Sequence, residues 1–253
     1  MGFAGFVGNL LIAGGPGLAI FCVFVAPKSF LVLLFLASLF AWLVSLMLTA
    51  ALFRGFVPLA EHRGALSAAL VVGVAMQEAT RYCAWLAHRR ILAMLAEAAR
   101  LRPGTRLGAG ERHALALTQG LAHGAAHSFF FYFSWLPLML GDGTFYVDAC
   151  PQMSFFLAGA LLSLAFLLLH TCAMPVAFDG LGKRQRGQWL AVPAAHLGAA
   201  LLTLGNLADG GCVAVLPLLL LGAAGMAAAA AWVCWRDVGT VARRVSASAN
   251  DNL

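Results

Sequence analysis

Glu78, Arg81, His123, His127, His170 and His196 all lie inside apolar runs, where an ionisable group is costly enough to count as a functional candidate by default. In "MQEATRY" the carboxylate of Glu78 and the guanidinium of Arg81 are three residues apart, on one face of a helix, with Gln77 beside them. Opposite charges so placed can neutralise each other in a low dielectric. Two readings stand: a polar lining for water or for a partner's segment, and an ion pair that only locks helix packing. In "TQGLAHGAAHS", residues 118 to 128, two histidines four apart accompany two glycines four apart. At about 100° per residue, with Gly120 as zero, Gly124 falls at about +40°, Ser128 at about +80°, His127 at about −20° and His123 at about −60°. All five share a face. Glycines let another helix approach closely and imidazoles need hydrogen-bond partners, so this face is not meant for lipid.

The elements that must position these residues are membrane spans. Of the 253 residues 62% are hydrophobic and 10% charged, and the mean hydropathy is +0.89, far outside the range of soluble domains. Runs of about 20 apolar residues, long enough to cross a hydrocarbon core, fall at residues 2–26, 30–53, 66–88, 113–138, 154–177, 188–207 and 213–235. The expected fold is an all-α, single-domain bundle of seven transmembrane helices with a short tail, 236–253. A cleaved signal peptide is disfavoured for residues 2–26, since no basic residue precedes the run and it is too long for a signal core. Counted at 1.5 Å per residue from one membrane edge, Glu78 lies roughly 15 Å deep, Arg81 about 10 Å, His123 about 15 Å, and His170 and His196 about 12 Å. Four spans feed one polar layer.

Charge orients the bundle. Thirteen of the sixteen Lys and Arg residues fall in the first, third and fifth loops and the tail, whereas the fourth and sixth loops, "GDGTFYVDACPQ" and "ADGG", have none. Basic residues collect on the cytoplasmic side, so the N-terminus is expected outside and the C-terminus in the cytosol. Arg54 and Arg63 are assigned to the second loop. The same distribution accounts for the net charge of +6 without nucleic acid. The third loop reads as a helix, "RRILAMLAEAARL", followed by a Pro/Gly turn, "RPGTRLGAGER". The last residues, "VSASANDNL", are small and polar and are expected to fray. Cys22, Cys83, Cys172 and Cys234 read as packing residues within spans. Cys150 and Cys212 fall in the two external loops, where a disulfide between them is one alternative and two free thiols the other.

The intramembrane histidines also raise a metal reading, because His is a common zinc ligand. Seven-span zinc hydrolases resembling alkaline ceramidases or adiponectin receptors combine HxxxH with further His and Asp. No Asp falls within the spans as drawn, and HExxH, GxSG and GxGD are missing. A nucleophile, its base and an oxyanion partner are not assembled. The reading is therefore not an enzyme, with no metal and no cofactor. The zinc hydrolase stays as the alternative.

Short stretches across six spans carry a resemblance: "GPGLAIF", "WLVSLML", "QEATRY", "GLAHGAAHS", "LLHTCAMPVAFD" and "AAHL", in that order. The chain resembles the anterior-pharynx-defective (Aph) subunit of γ-secretase nearly end to end. By position, the family's GxxxGxxxG falls on Gly120, Gly124 and Ser128, the third glycine being replaced, and its two intramembrane histidines fall on His170 and His196. His123 and His127 are extra to that pattern. The resemblance implies a seven-span, non-catalytic scaffold that assembles with nicastrin, presenilin and presenilin enhancer, whose protease aspartates belong to presenilin. It also implies intramembrane proteolysis and Notch-type protein processing in endoplasmic reticulum, Golgi, endosomal and plasma membranes.

Overall fold

A backbone surrounded by lipid must satisfy its N–H and C=O groups internally, in helices or closed barrels, and continuous apolar runs of about 20 residues do so as helices. The computed structural model describes residues 2–56, 63–101, 108–141 and 145–250. Among these the only strand-like pairing is a single bridge between Val147 and Cys150. Seven long helices follow in order: α1 Phe3–Ile20, α2 Ser29–Phe56, α3 Arg63–Arg100, α4 Ala109–Ser128, α5 Phe155–Gly182, α6 Arg186–Leu202 and α7 Gly211–Asn250. Wider turns of π type extend α1 through Val25 and α4 through Phe133, and a 3₁₀ turn carries α6 to Leu207.

The antiparallel pair α4 and α5 forms the axis. Helices α1, α6 and α7 pack on α5, α2 packs on α4, and α3 bridges α2 and α6. The outer surface is apolar: Leu33, Phe40, Met47, Leu221 and Trp232 point outward. Such a surface is stable only where its surroundings are apolar too. Among the described residues five helical segments are long and apolar enough to cross a membrane, at Phe3–Val25, Ser29–Leu52, Phe155–Gly182, Arg186–Leu207 and Gly211–Gly239. Helices α3 and α4 fall short of that measure because they carry Gln77, Glu78, Arg81, Thr118, Gln119 and His123.

Several helices run past the apolar runs read from the sequence. The third span and the helical half of the third loop are one helix, α3, because "RRILAMLAEAAR" is composed almost wholly of strong helix formers and nothing interrupts it. Arg63 lies on that helix and Arg54 on α2. The expected turn at 102–107, with Arg102 and Arg106, lies outside the described residues, as do residues 142–144. Helix α5 runs to Gly182, and α7 continues to Asn250 in place of a frayed tail, since neither Gly nor Pro follows Gly239. Cys22 and Cys83 face outward and are not packing residues within this chain.

At the opposite end of the bundle Cys150 and Cys212 are joined in a disulfide, with Cα atoms 6.0 Å apart and a sequence separation of 62. Both are buried beside Met153 and Leu216. Closing so long a loop is worth about 2–5 kcal/mol through the unfolded state. Cys150→Ala/Cys212→Ala is therefore expected to lower the thermal midpoint of the purified chain, and reductant should reproduce the loss in the wild type. A midpoint indifferent to both would argue that the bond is not formed.

Candidate functional site

The site grows from the contact of α4 with α5. A methyl group placed on Gly120 would collide with the carbonyl oxygen of Thr171 and come within 3.0 Å of the His170 carbonyl and of Met174 Cβ. One on Gly124 would sit 2.7 Å from the Leu167 carbonyl. Ser128 Oγ donates to the Ser163 carbonyl at 3.5 Å, a long bond. Positions four apart on α4 thus meet positions about four apart on α5, in antiparallel register. The first seat has a local cause. Pro175 has no N–H to give to the Thr171 carbonyl one turn earlier, and that freed oxygen faces Gly120. Helix α4 is covered on nearly every side, which is how a span can carry this much polarity. The occupant of the glycine face is the chain's own α5.

Close approach of these helices places the polar layer. Glu78 and Arg81 pair along α3. The Arg81 guanidinium reaches His170 Nδ1 at 3.2 Å, and His196 Nδ1 meets Glu78 Oε1 at 2.7 Å. Arg can only donate, so His170 accepts at Nδ1 and carries its proton on Nε2. An ionised Glu78 can only accept, so His196 donates from Nδ1. The His170 and His196 rings are 4.8 Å apart, near perpendicular. His127 stands 5.0 Å from His170 and stacks on Phe166. His123 stacks on Trp42 at 4.2 Å, and Trp42 also contacts His170 at 5.0 Å.

Five helices therefore contribute to one layer, the fifth being α2 through Trp42. Gln77 is buried, and its Oε1 has no hydrogen-bond partner; among the described residues no side-chain hydrogen bond ties it to the layer. The His123 nitrogens, His170 Nε2 and Arg81 Nε also lack partners and are fully enclosed. Chemically, the single carboxylate is committed to Arg81 and His196. Among the described residues no group of three His, Cys, Asp or Glu is placed to hold a metal ion.

A second cluster was not anticipated. Asp179 on α5 binds Lys183, Arg236 at 2.5 Å and the Gln188 amide at 2.9 Å. Asp237 on α7 binds Lys183 at 2.6 Å and His113 of α4 at 3.1 Å. Helices α4 to α7 are thereby tied at the end where the basic residues gather. The local signal was present in "FDGLGK", with Asp179 and Lys183 four apart at a helix end. His88, bonded to the Gln119 amide at 2.9 Å, was likewise missed.

Comparison with known proteins follows the same residues. The family model described as Aph-1 protein matches residues 4–237. The Gamma-secretase subunit APH1-like of Arabidopsis thaliana is 39% identical over 216 residues, covering 85% of this chain and 86% of that protein. Gamma-secretase subunit APH-1B of Homo sapiens is 31% identical over 200 residues, 76% of this chain and 75% of that protein. Gamma-secretase subunit Aph-1 of Drosophila melanogaster is 29% identical over 201 residues, 79% and 81% respectively.

Proposed function

We infer, from a chain that belongs to the Aph-1 family along nearly its whole length, that its work is done by helix packing: it is a non-catalytic scaffold subunit of a γ-secretase complex. The observation that carries this is the end-to-end match to γ-secretase subunits. The layer fits it chemically, since its carboxylate, guanidinium and two of its imidazoles are spent on one another. The chain is a multi-pass membrane protein. Within the complex, the proposed partners are homologues of presenilin, nicastrin and presenilin enhancer. The proposed sites of action are the endoplasmic reticulum, Golgi, endosomal and plasma membranes, with Notch-type substrates among those processed.

The proposed topology is seven crossings, with the N-terminus outside and the basic end in the cytosol. It is supported by the positive-inside distribution and by the gathering of Arg89, Arg112, Lys183 and Arg236 near one end of the bundle. Gly120, Gly124 and Ser128 would then serve assembly indirectly, by holding α4 on α5 and so shaping the outer surface that partners meet. His170 and His196 would pin α5 to α6 through Glu78 and Arg81 of α3. His123 and His127 extend the same layer toward α2.

The decisive experiment is affinity isolation of the tagged chain from native membranes in mild detergent, with the retained proteins identified by mass spectrometry. Presenilin and nicastrin homologues are expected. A chain recovered alone and carrying stoichiometric zinc would overturn the scaffold reading in favour of the hydrolase.

A further inference from the structure

Where α5 ends and α4 begins, a cavity of about 420 Å³ opens between α3, α4, α5 and α7, a volume in the range of small-ligand pockets. One wall is apolar, formed by Leu92, Ala116, Pro175 and Phe178, and the other is charged. The carboxylates of Asp179 and Asp237 on that wall are already answered by Lys183, Arg236 and His113. Arg89 and Arg112, which also line it, have no carboxylate partner among the described residues, and Arg89 is held over the Trp85 ring at 4.9 Å. His88, another lining residue, accepts from Gln119 at Nδ1, which puts its own proton on Nε2. The cavity therefore offers two guanidinium groups without carboxylate partners among the described residues, one of them stacked on Trp85, and the His88 imidazole against an apolar wall. Guanidinium forks suit phosphate oxygens, and basic pockets between helices at the cytoplasmic face suit anionic headgroups.

We propose that this cavity holds the phosphate-bearing headgroup of an anionic phospholipid from the adjoining leaflet, with Arg89 and Arg112 on the charged oxygens and the apolar wall against the glycerol backbone. A free phosphate compound shares the first half of that chemistry and would leave the apolar wall unused. The inference rests on the orientation proposed above, since the cytoplasmic leaflet is the anionic one. It does not depend on the partners.

The test is native mass spectrometry of the full chain released from phosphatidylcholine nanodiscs containing phosphatidylinositol phosphate. The wild type is expected to retain that lipid over phosphatidylcholine. Arg89→Gln/Arg112→Gln should lose retention by roughly tenfold or more. Arg90→Gln/Arg100→Gln, the same charge change on exposed positions of α3 outside the cavity, should keep it. Equal loss in both variants, no preference over phosphatidylcholine, or complete displacement by inorganic phosphate would overturn the proposal. So would release of the lipid when a protein partner binds in its place. Labelling of Arg90→Cys in sealed vesicles with an impermeant thiol reagent reads the orientation separately; reaction from the lumenal side would remove the leaflet assignment, whatever the retention.

Discussion

Gly120→Leu and Gly124→Leu are each expected to unseat α4 from α5 and to leave a chain that inserts but neither packs nor assembles. The added Cβ alone would overlap the Thr171 carbonyl at one position and lie 2.7 Å from the Leu167 carbonyl at the other, and a main-chain oxygen cannot rotate away as a side chain can. Overpacking of a tight interior costs about 1–3 kcal/mol, and more where backbone must move; a loss above about 3 kcal/mol is expected here. Insertion follows overall hydropathy and should survive. Gly222→Ala and Gly225→Ala are the contrast. They lie on α7 with nothing within 4 Å of the new methyl, and a helix-interior glycine costs up to about 1 kcal/mol relative to alanine. These should be neutral or slightly stabilising. Thermal unfolding in detergent and blue-native electrophoresis read both sets. A high-mass assembly of Gly124→Leu with wild-type mobility would sink the packing argument.

Arg81→Met is expected to be the most damaging change in the polar layer. Arg81 is 2% exposed, pairs with Glu78 and donates to His170, so its loss leaves a buried carboxylate whose remaining partner is His196. Removing one member of a buried pair costs about 3–5 kcal/mol, whereas replacing both members with apolar groups of similar size is often nearly neutral. Glu78→Leu/Arg81→Met should therefore recover much of what Arg81→Met loses. Comparison of the two single variants with the double isolates the pair. If Arg81→Met unfolds within about 1 kcal/mol of wild type, the layer is not what holds α3 against α5 and α6. If the double variant folds yet fails to assemble, the layer has a recognition role beyond packing.

Gly120, Gly124, Glu78 and Arg81 are all visible in the linear chain as exceptions within apolar runs. The depth of Glu78, Arg81, His170 and His196 followed from counting rise per residue along apolar runs, because a span's axis and length are set by the bilayer. Which ring meets which group depends on helix rotation and pairing, and hydropathy carries neither. Trp42 illustrates the limit. It reads as one more apolar residue of the second span, yet in the fold it stacks on His123 and touches His170. Helices α3, α5 and α7 run past their apolar runs for a related reason. Hydrophobicity marks where lipid stops, whereas a helix stops where its residues or caps require it, and "RRILAMLAEAAR" has no stop signal.

Composition and continuous apolar runs of about 20 residues determined that the chain is helical and lives in a membrane, since the other structure that satisfies a lipid-embedded backbone, a closed barrel, is built from short alternating strands. Gly120 and Gly124 sharing a face with His123 and His127 pointed to a side of α4 covered by protein, since imidazoles need hydrogen-bond partners that lipid lacks. Tertiary structure alone decided that the cover is α5 of the same chain, because small side chains specify closeness without specifying a partner. It also decided that Asp179, Asp237, Lys183, Arg236 and His113, drawn from three helices and one helix end, form one cluster beside a cavity. Ion pairs between residues more than fifty apart arise only after the helices have chosen their neighbours.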